Sequence, residues 1–130
     1  MSPSPSPINS SLRAIIAEDE QPLAMVLEKS LMLLWPALTI EGVFSEGSSA
    51  QKSLIDKPID IAFLDIAIPY RTGLEIAEYC AVNKIDTLFV LVTAYPEHAL
   101  DAFKFTVCDY LLKPVCKSRL AEMIERLKYD

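Results

Sequence analysis

Three absences narrow the possibilities first. Glycine is scarce, with three residues in 130 against nine prolines, yet 52% of the chain is hydrophobic and its mean hydropathy is +0.28, too apolar for a disordered protein. Cysteine is also scarce: Cys80, Cys108 and Cys116 are odd in number and lack C-x-x-C spacing, which favours reduced core thiols over a disulfide framework or a zinc site. The only histidine, His98, falls on an expected helix with no visible partner, so it reads as a surface or interfacial residue and not as a phosphohistidine centre. No apolar run reaches the length of a membrane span, and the N-terminus MSPSPSPINSS has neither the basic flank nor the apolar segment of a secretory signal; an intracellular, cytoplasmic protein is expected. Lys and Arg number 12 against 18 Asp and Glu, giving a net charge of -6 without a basic cluster. The chain itself therefore offers no footprint for nucleic acid.

A chain of 130 residues fits one domain with a real core. Residues 1–11, alternating Ser and Pro, are expected to form a mobile tail, because they cannot offset the entropy of ordering. The ordered domain is expected over 12–130, with no internal repeat.

Within it, short apolar runs alternate with amphipathic stretches, the pattern of strand and helix units around a parallel sheet. Strands are expected at 12–17, 38–43, 59–64, 88–92 and 108–112, with the very apolar LFVLV of the fourth placed centrally. Leu23, Val26, Leu27, Ser30, Leu31 and Leu34 recur at helical spacing and predict a helix over 21–34, which Pro36 stops and Trp35 anchors. Further helices are expected at 46–56, 73–83, 96–104 and from Lys117 onward, where Leu120, Met123, Ile124 and Leu127 share one face. The order is (βα) five times over, an α/β doubly wound fold with helices on both faces of one sheet.

The stretch IDIAFLDIAIP interrupts an apolar run with Asp65, where desolvation disfavours a charge. Comparable interruptions end the other strands: Glu18 and Asp19 after the first, Thr93 after the fourth, Lys113 after the fifth. In an open parallel sheet the carboxyl ends of the strands form the ligand-binding edge, so these scattered residues are expected to share one crevice. Three carboxylates together repel one another unless a cation neutralises them, and oxygen donors without His or Cys suit magnesium. Asp65 then has a free lone pair to act as a nucleophile toward phosphorus, with the Thr93 hydroxyl and the Lys113 ammonium available to phosphoryl oxygens. Positioning and charge neutralisation are most of what phosphoryl transfer needs. Pro114 restricts the geometry of Lys113 and admits a cis bond.

The motifs IIAEDEQP, FLDIAIPYRTG with Pro69 and Gly73 four and eight residues after Asp65, VTAY and DYLLKP occur in this order on these strand ends. In that combination the chain resembles the receiver domains of two-component response regulators over residues 12–128. The resemblance implies a flavodoxin-like (CheY-like) five-stranded sheet of order 2-1-3-4-5. It also implies that Asp65 accepts phosphate from a sensor histidine kinase, and that Glu18, Asp19, Asp65 and the backbone carbonyl of Ala67 hold Mg2+. Thr93 and Lys113 would contact the phosphoryl group, and Tyr110 matches the switch aromatic that moves with Thr93. The surface of the fourth helix, fifth strand and fifth helix would then control homodimerisation or an output domain. TAYPEHALDAF with DYLLKP looks most like regulators with a LytTR-type DNA-binding output; the chain ends soon after its last helix, as either a receiver cut from a longer regulator or a stand-alone one.

Glu18 stands where the family more often has aspartate, one methylene shorter. Ala67 and Tyr95, two residues after Asp65 and Thr93, carry no amide or carboxylate to orient an attacking water, so slow self-dephosphorylation is expected. Glu20 reads as an acid at a helix start. Two other functions compete: a receiver fold working as an interaction module without phosphate, against which the intact set of site residues argues, and a small aspartyl-phosphate hydrolase, which would want a second acid where Ala67 stands.

Overall fold

The computed structural model describes residues 12–95, 97 and 107–128. The tail over 1–11, His98 and, apart from residue 97, the helix expected at 96–104 lie outside them, as does the side chain of Cys108. The elements are β1 (Leu12–Ala17), α1 (Gln21–Leu34), β2 (Leu38–Phe44), α2 (Gly47–Asp56), β3 (Ile61–Asp65), α3 (Gly73–Val82), β4 (Leu88–Thr93), β5 (Val107–Leu112) and α4 (Lys117–Lys128). All pairings are parallel, in the order β2-β1-β3-β4-β5. The five-stranded parallel sheet is thus the expected one. LFVLV lies inside the sheet as expected, beside the middle strand β3, every residue of which is buried. Apolarity reports how well a strand is covered on its faces and does not distinguish the middle strand from its neighbour.

Strand residues alternate between two cores, as the period of two requires. Ile15, Ala17, Ala62, Leu64, Phe89 and Leu91 pack with Ala50 and Leu54 of α2 and Ile76, Ala77 and Cys80 of α3. Ala14, Ile16, Ile61, Phe63, Val90, Val92 and Leu111 pack with Leu27 and Leu31 of α1 and Leu120, Met123 and Ile124 of α4. Among the described residues, two helices therefore cover each face.

The helices begin and end where their local chemistry dictates. Pro22 opens α1, where its missing N–H leaves no bond unmade, and buried Trp35 closes it by donating its backbone N–H to Leu31 at 2.7 Å. The buried stripe of α1 runs through Ala24, Leu27, Ser30 and Leu31, whereas Val26, expected on that stripe, is exposed. α3 starts with a capping box: the Thr72 hydroxyl accepts from the Glu75 amide, and the Glu75 carboxylate accepts from the Thr72 amide. On the other core face, buried Asp109 of β5 is paired with Arg119 and Arg126 of α4, which satisfies its charge and ties that helix to the sheet edge. Cys80 is buried as expected, but Cys116 is exposed, because it lies in the loop before α4 and not on a core face.

Candidate functional site

Position parity aims most of the site's side chains. Glu18, Asp65 and Lys113 follow Ile16, Phe63 and Leu111 by two, so each continues the side of the sheet that faces α1 and α4. Their polar ends meet just past the carboxyl edge. Lys113 Nζ lies 2.9 Å from Glu18 Oε1 and 3.0 Å from Asp65 Oδ2. The Lys113–Pro114 peptide bond is cis, and the Lys113 amide donates to the Thr93 carbonyl at 2.8 Å.

The remaining bonds hold the carboxylates in place. Asp65 Oδ1 accepts from the Ala67 amide at 3.0 Å, and Glu18 Oε2 accepts from the Glu20 amide at 3.1 Å. Thr93 is buried, and its Oγ1 accepts from the Tyr95 amide at 2.9 Å. Burial raises the Glu18 carboxyl above its ordinary value; the Lys113 bond opposes this and the Asp65 charge adds to it. For Lys113 burial acts downward, but its bonds to Glu18 and Asp65 prevail and the ammonium is raised.

Two glycines permit the close approaches that bring the loop after β3 into position. A Cβ on Gly73 would lie 2.9 Å from the Asp65 carbonyl oxygen, and one on Gly47 only 1.7 Å from the Arg71 carbonyl oxygen. Only a residue without a side chain lets the starts of α2 and α3 pack so close to that loop. The Gly47 amide donates to the Pro69 carbonyl at 2.9 Å, pinning the loop from the other side.

Asp19, Glu20, Asp65, Ile66, Ala67, Thr93, Ala94, Tyr95 and Lys113 line a cleft of about 270 Å³. Carboxylate oxygens of Glu18, Asp19 and Asp65 lie within 4.8 Å of one another, two buried and one exposed, a set of hard oxygen donors compatible with Mg2+. The structure thus gathers Glu18, Asp19, Asp65, Ala67, Thr93 and Lys113 at one place. Tyr110 stands apart: it is half-buried on β5, against the core formed with α2 and α3. Sequence reasoning passed over Glu20, whose carboxylate reaches to 3.9 Å from Lys113. The signal was its adjacency to the acidic pair, but adjacency does not say where a side chain at a helix start points.

The family model for the response regulator receiver domain matches residues 14–125. An uncharacterized response regulatory protein of Vibrio cholerae is 39% identical over 121 residues, covering 93% of this chain and 46% of that protein. The transcriptional regulatory protein YpdB of Escherichia coli is 32% identical over 121 residues, covering 90% of this chain and 48% of that protein. The chain spans about half the length of these curated relatives. Among solved structures, the response regulatory domain of MrkE from Klebsiella pneumoniae superposes with a TM-score of 0.78 at 32% identity, covering 91% of this chain and 96% of that one.

Proposed function

The chain belongs to the response regulator receiver domain family, and from that membership we propose that it is a phosphoacceptor switch whose acceptor is Asp65. An Asp65 carboxylate oxygen attacks the phosphorus of a phosphohistidine on a sensor histidine kinase. The P–N bond breaks, its electron pair stays on the imidazole nitrogen, and that nitrogen takes up a proton, leaving an aspartyl phosphate. Lys113, already 3.0 Å from Asp65, supplies a fixed positive charge for a phosphoryl oxygen, and buried Thr93 offers its hydroxyl to another. Glu18, Asp19, Asp65 and the Ala67 carbonyl would hold Mg2+, which supplies charge neutralisation between these carboxylates and the phosphoryl group. Such a domain is a regulatory switch and not a conventional enzyme.

The observation that carries this reading is the convergence of Lys113 on Asp65 and Glu18 from strands far apart in sequence. Tyr110, with Thr93, is the proposed relay to the surface of β5 and α4, where a second copy or an output domain would bind; the helix expected at 96–104, the rest of that surface in the sequence reading, falls outside the described residues apart from residue 97. The transcriptional regulatory protein YpdB, and relatives about twice this length, support a transcriptional output; its LytTR type is proposed from TAYPEHALDAF with DYLLKP alone. A cytoplasmic location follows from the same reading; among the described residues no helix is long and apolar enough to cross a membrane.

The test is incubation with acetyl phosphate, or with beryllofluoride, plus magnesium, reading mass and oligomeric state. With acetyl phosphate the wild type should gain the mass of one phosphoryl group, with beryllofluoride one bound beryllofluoride in its place, and Asp65→Asn neither. A mass gain in the Asn variant would move the acceptor elsewhere.

A further inference from the structure

Glu20 is the N-cap residue of α1, yet its side chain makes no capping hydrogen bond. An acid at a helix start ordinarily serves the free amides of the first turn. Here the carboxylate turns the other way. It lines the cleft and brings Oε1 to 3.9 Å from Lys113 Nζ, while its backbone amide fixes the second oxygen of Glu18. Its side chain is 64% exposed, and it is not among the three residues whose oxygens lie within 4.8 Å of one another. That combination, an acid inside the cleft, in water, one layer beyond the close carboxylates, suits a group that deals with a hydrated cation through water.

We propose that Glu20 is a positioning residue for the divalent cation of this site, its carboxylate accepting hydrogen bonds from water bound to the cation. The inference rests on the phosphoacceptor reading and deepens it. Mg2+ gives up its water reluctantly and keeps several molecules when bound to a few carboxylates. Acceptors outside the direct ligands orient those waters and strengthen binding, and their loss typically weakens a metal site about 10- to 100-fold. Glu20 is well solvated, so a smaller loss, about three- to tenfold, is expected on its removal. The residue also explains itself in the absence of metal, when its negative charge faces the Lys113 ammonium.

The test is calorimetric titration of the full chain with magnesium chloride and no phosphodonor, so that phosphoryl chemistry does not enter. Glu20→Ala should weaken binding three- to tenfold, and Glu20→Gln should fall between it and wild type, since an amide oxygen still accepts from water. Glu78→Gln, the same charge change at an exposed position of α3, should leave the affinity as it is. Thermal melting without magnesium should be unchanged in both Glu20 variants, separating this role from a structural one. Both variants within twofold of wild type would overturn the proposal, as would an equal loss in Glu78→Gln. Gln no better than Ala would overturn the hydrogen-bonding role. Failure of the wild-type chain to bind magnesium would instead bring down the phosphoacceptor reading itself.

Discussion

Lys113 places its ammonium 3.0 Å from the Asp65 carboxylate across 48 positions of sequence. With Glu18 at 2.9 Å on its other side, it is the cation that lets two buried acids share one edge of the sheet. Removing it leaves both carboxylates without that compensation.

Lys113→Met is therefore expected to cost about 1–3 kcal/mol at neutral pH, less than for a fully enclosed pair because the cleft is open to water. The pH dependence follows from the raised ammonium. Its contribution is fully present below the ordinary lysine value of 10.5 and is lost as pH rises through the higher folded value. Glu18, also raised, has the same sign in the carboxylate range: its contribution is present below 4.5 and lost as pH rises through its folded value. Urea denaturation of wild type and Lys113→Met should show a constant difference from neutral to mildly alkaline pH, shrinking above 10.5. A difference that grows there would contradict the pairing.

Gly73→Ala should destabilise the fold by about 1–3 kcal/mol, because the new methyl meets the backbone of the loop after β3, which cannot turn aside as a side chain would. Ordinarily the same change inside a helix gains up to about 1 kcal/mol. The sign of the shift in the denaturation midpoint decides: a gain would mean that the loop has room to move, and with it Asp65.

Thiol reactivity should divide along burial. Cys116 is exposed, and its thiol is lowered, first by the hydrogen bond with Ser118 and then by backbone amides at the start of α4. Cys80 is enclosed in the core, where burial pushes its thiol up to about 11. Iodoacetamide followed by peptide mapping should label Cys116 in the native protein and Cys80 only after unfolding. Equal labelling rates would mean that α3 leaves the sheet readily.

Phosphoryl lifetime should be long once Asp65 is loaded. Ala67 and Tyr95 line the cleft and bring no amide or carboxylate side chain to direct water at phosphorus. The labelled chain should hold its phosphoryl group for minutes in magnesium, and Ala67→Asn should shorten the lifetime about tenfold, toward the lower end of general acid–base effects. Loss within seconds from the wild-type chain would refute this.

Much of the architecture was legible because it is written in short periods. The described strands and helices begin and end within two residues of expectation, since apolar alternation, helical spacing and Pro36 are local signals. The meeting of Glu18, Asp65 and Lys113 could also be anticipated, as all three sit at strand ends. What escaped depends on contacts between distant segments. Gly47 is forced by a carbonyl 24 positions away, at Arg71, and Glu20 turns from its helix toward a lysine just past β5. The exposure of Cys116 likewise depends on how the last loop runs past the sheet.

The bond from the Lys113 amide to the Thr93 carbonyl is a rung of the ladder just past the end of β5, and it fixes to each other the two backbone segments that carry the lysine and the hydroxyl. Adjacent strands stand about 4.8 Å apart wherever such rungs form, whatever the packing beneath. The spacing of those two backbone segments is thus a standard unit of peptide geometry, and the interior can be repainted with other apolar residues without resetting it. A slip of β5 by one residue against β4, in contrast, would turn the lysine to the opposite face while leaving the secondary structure intact.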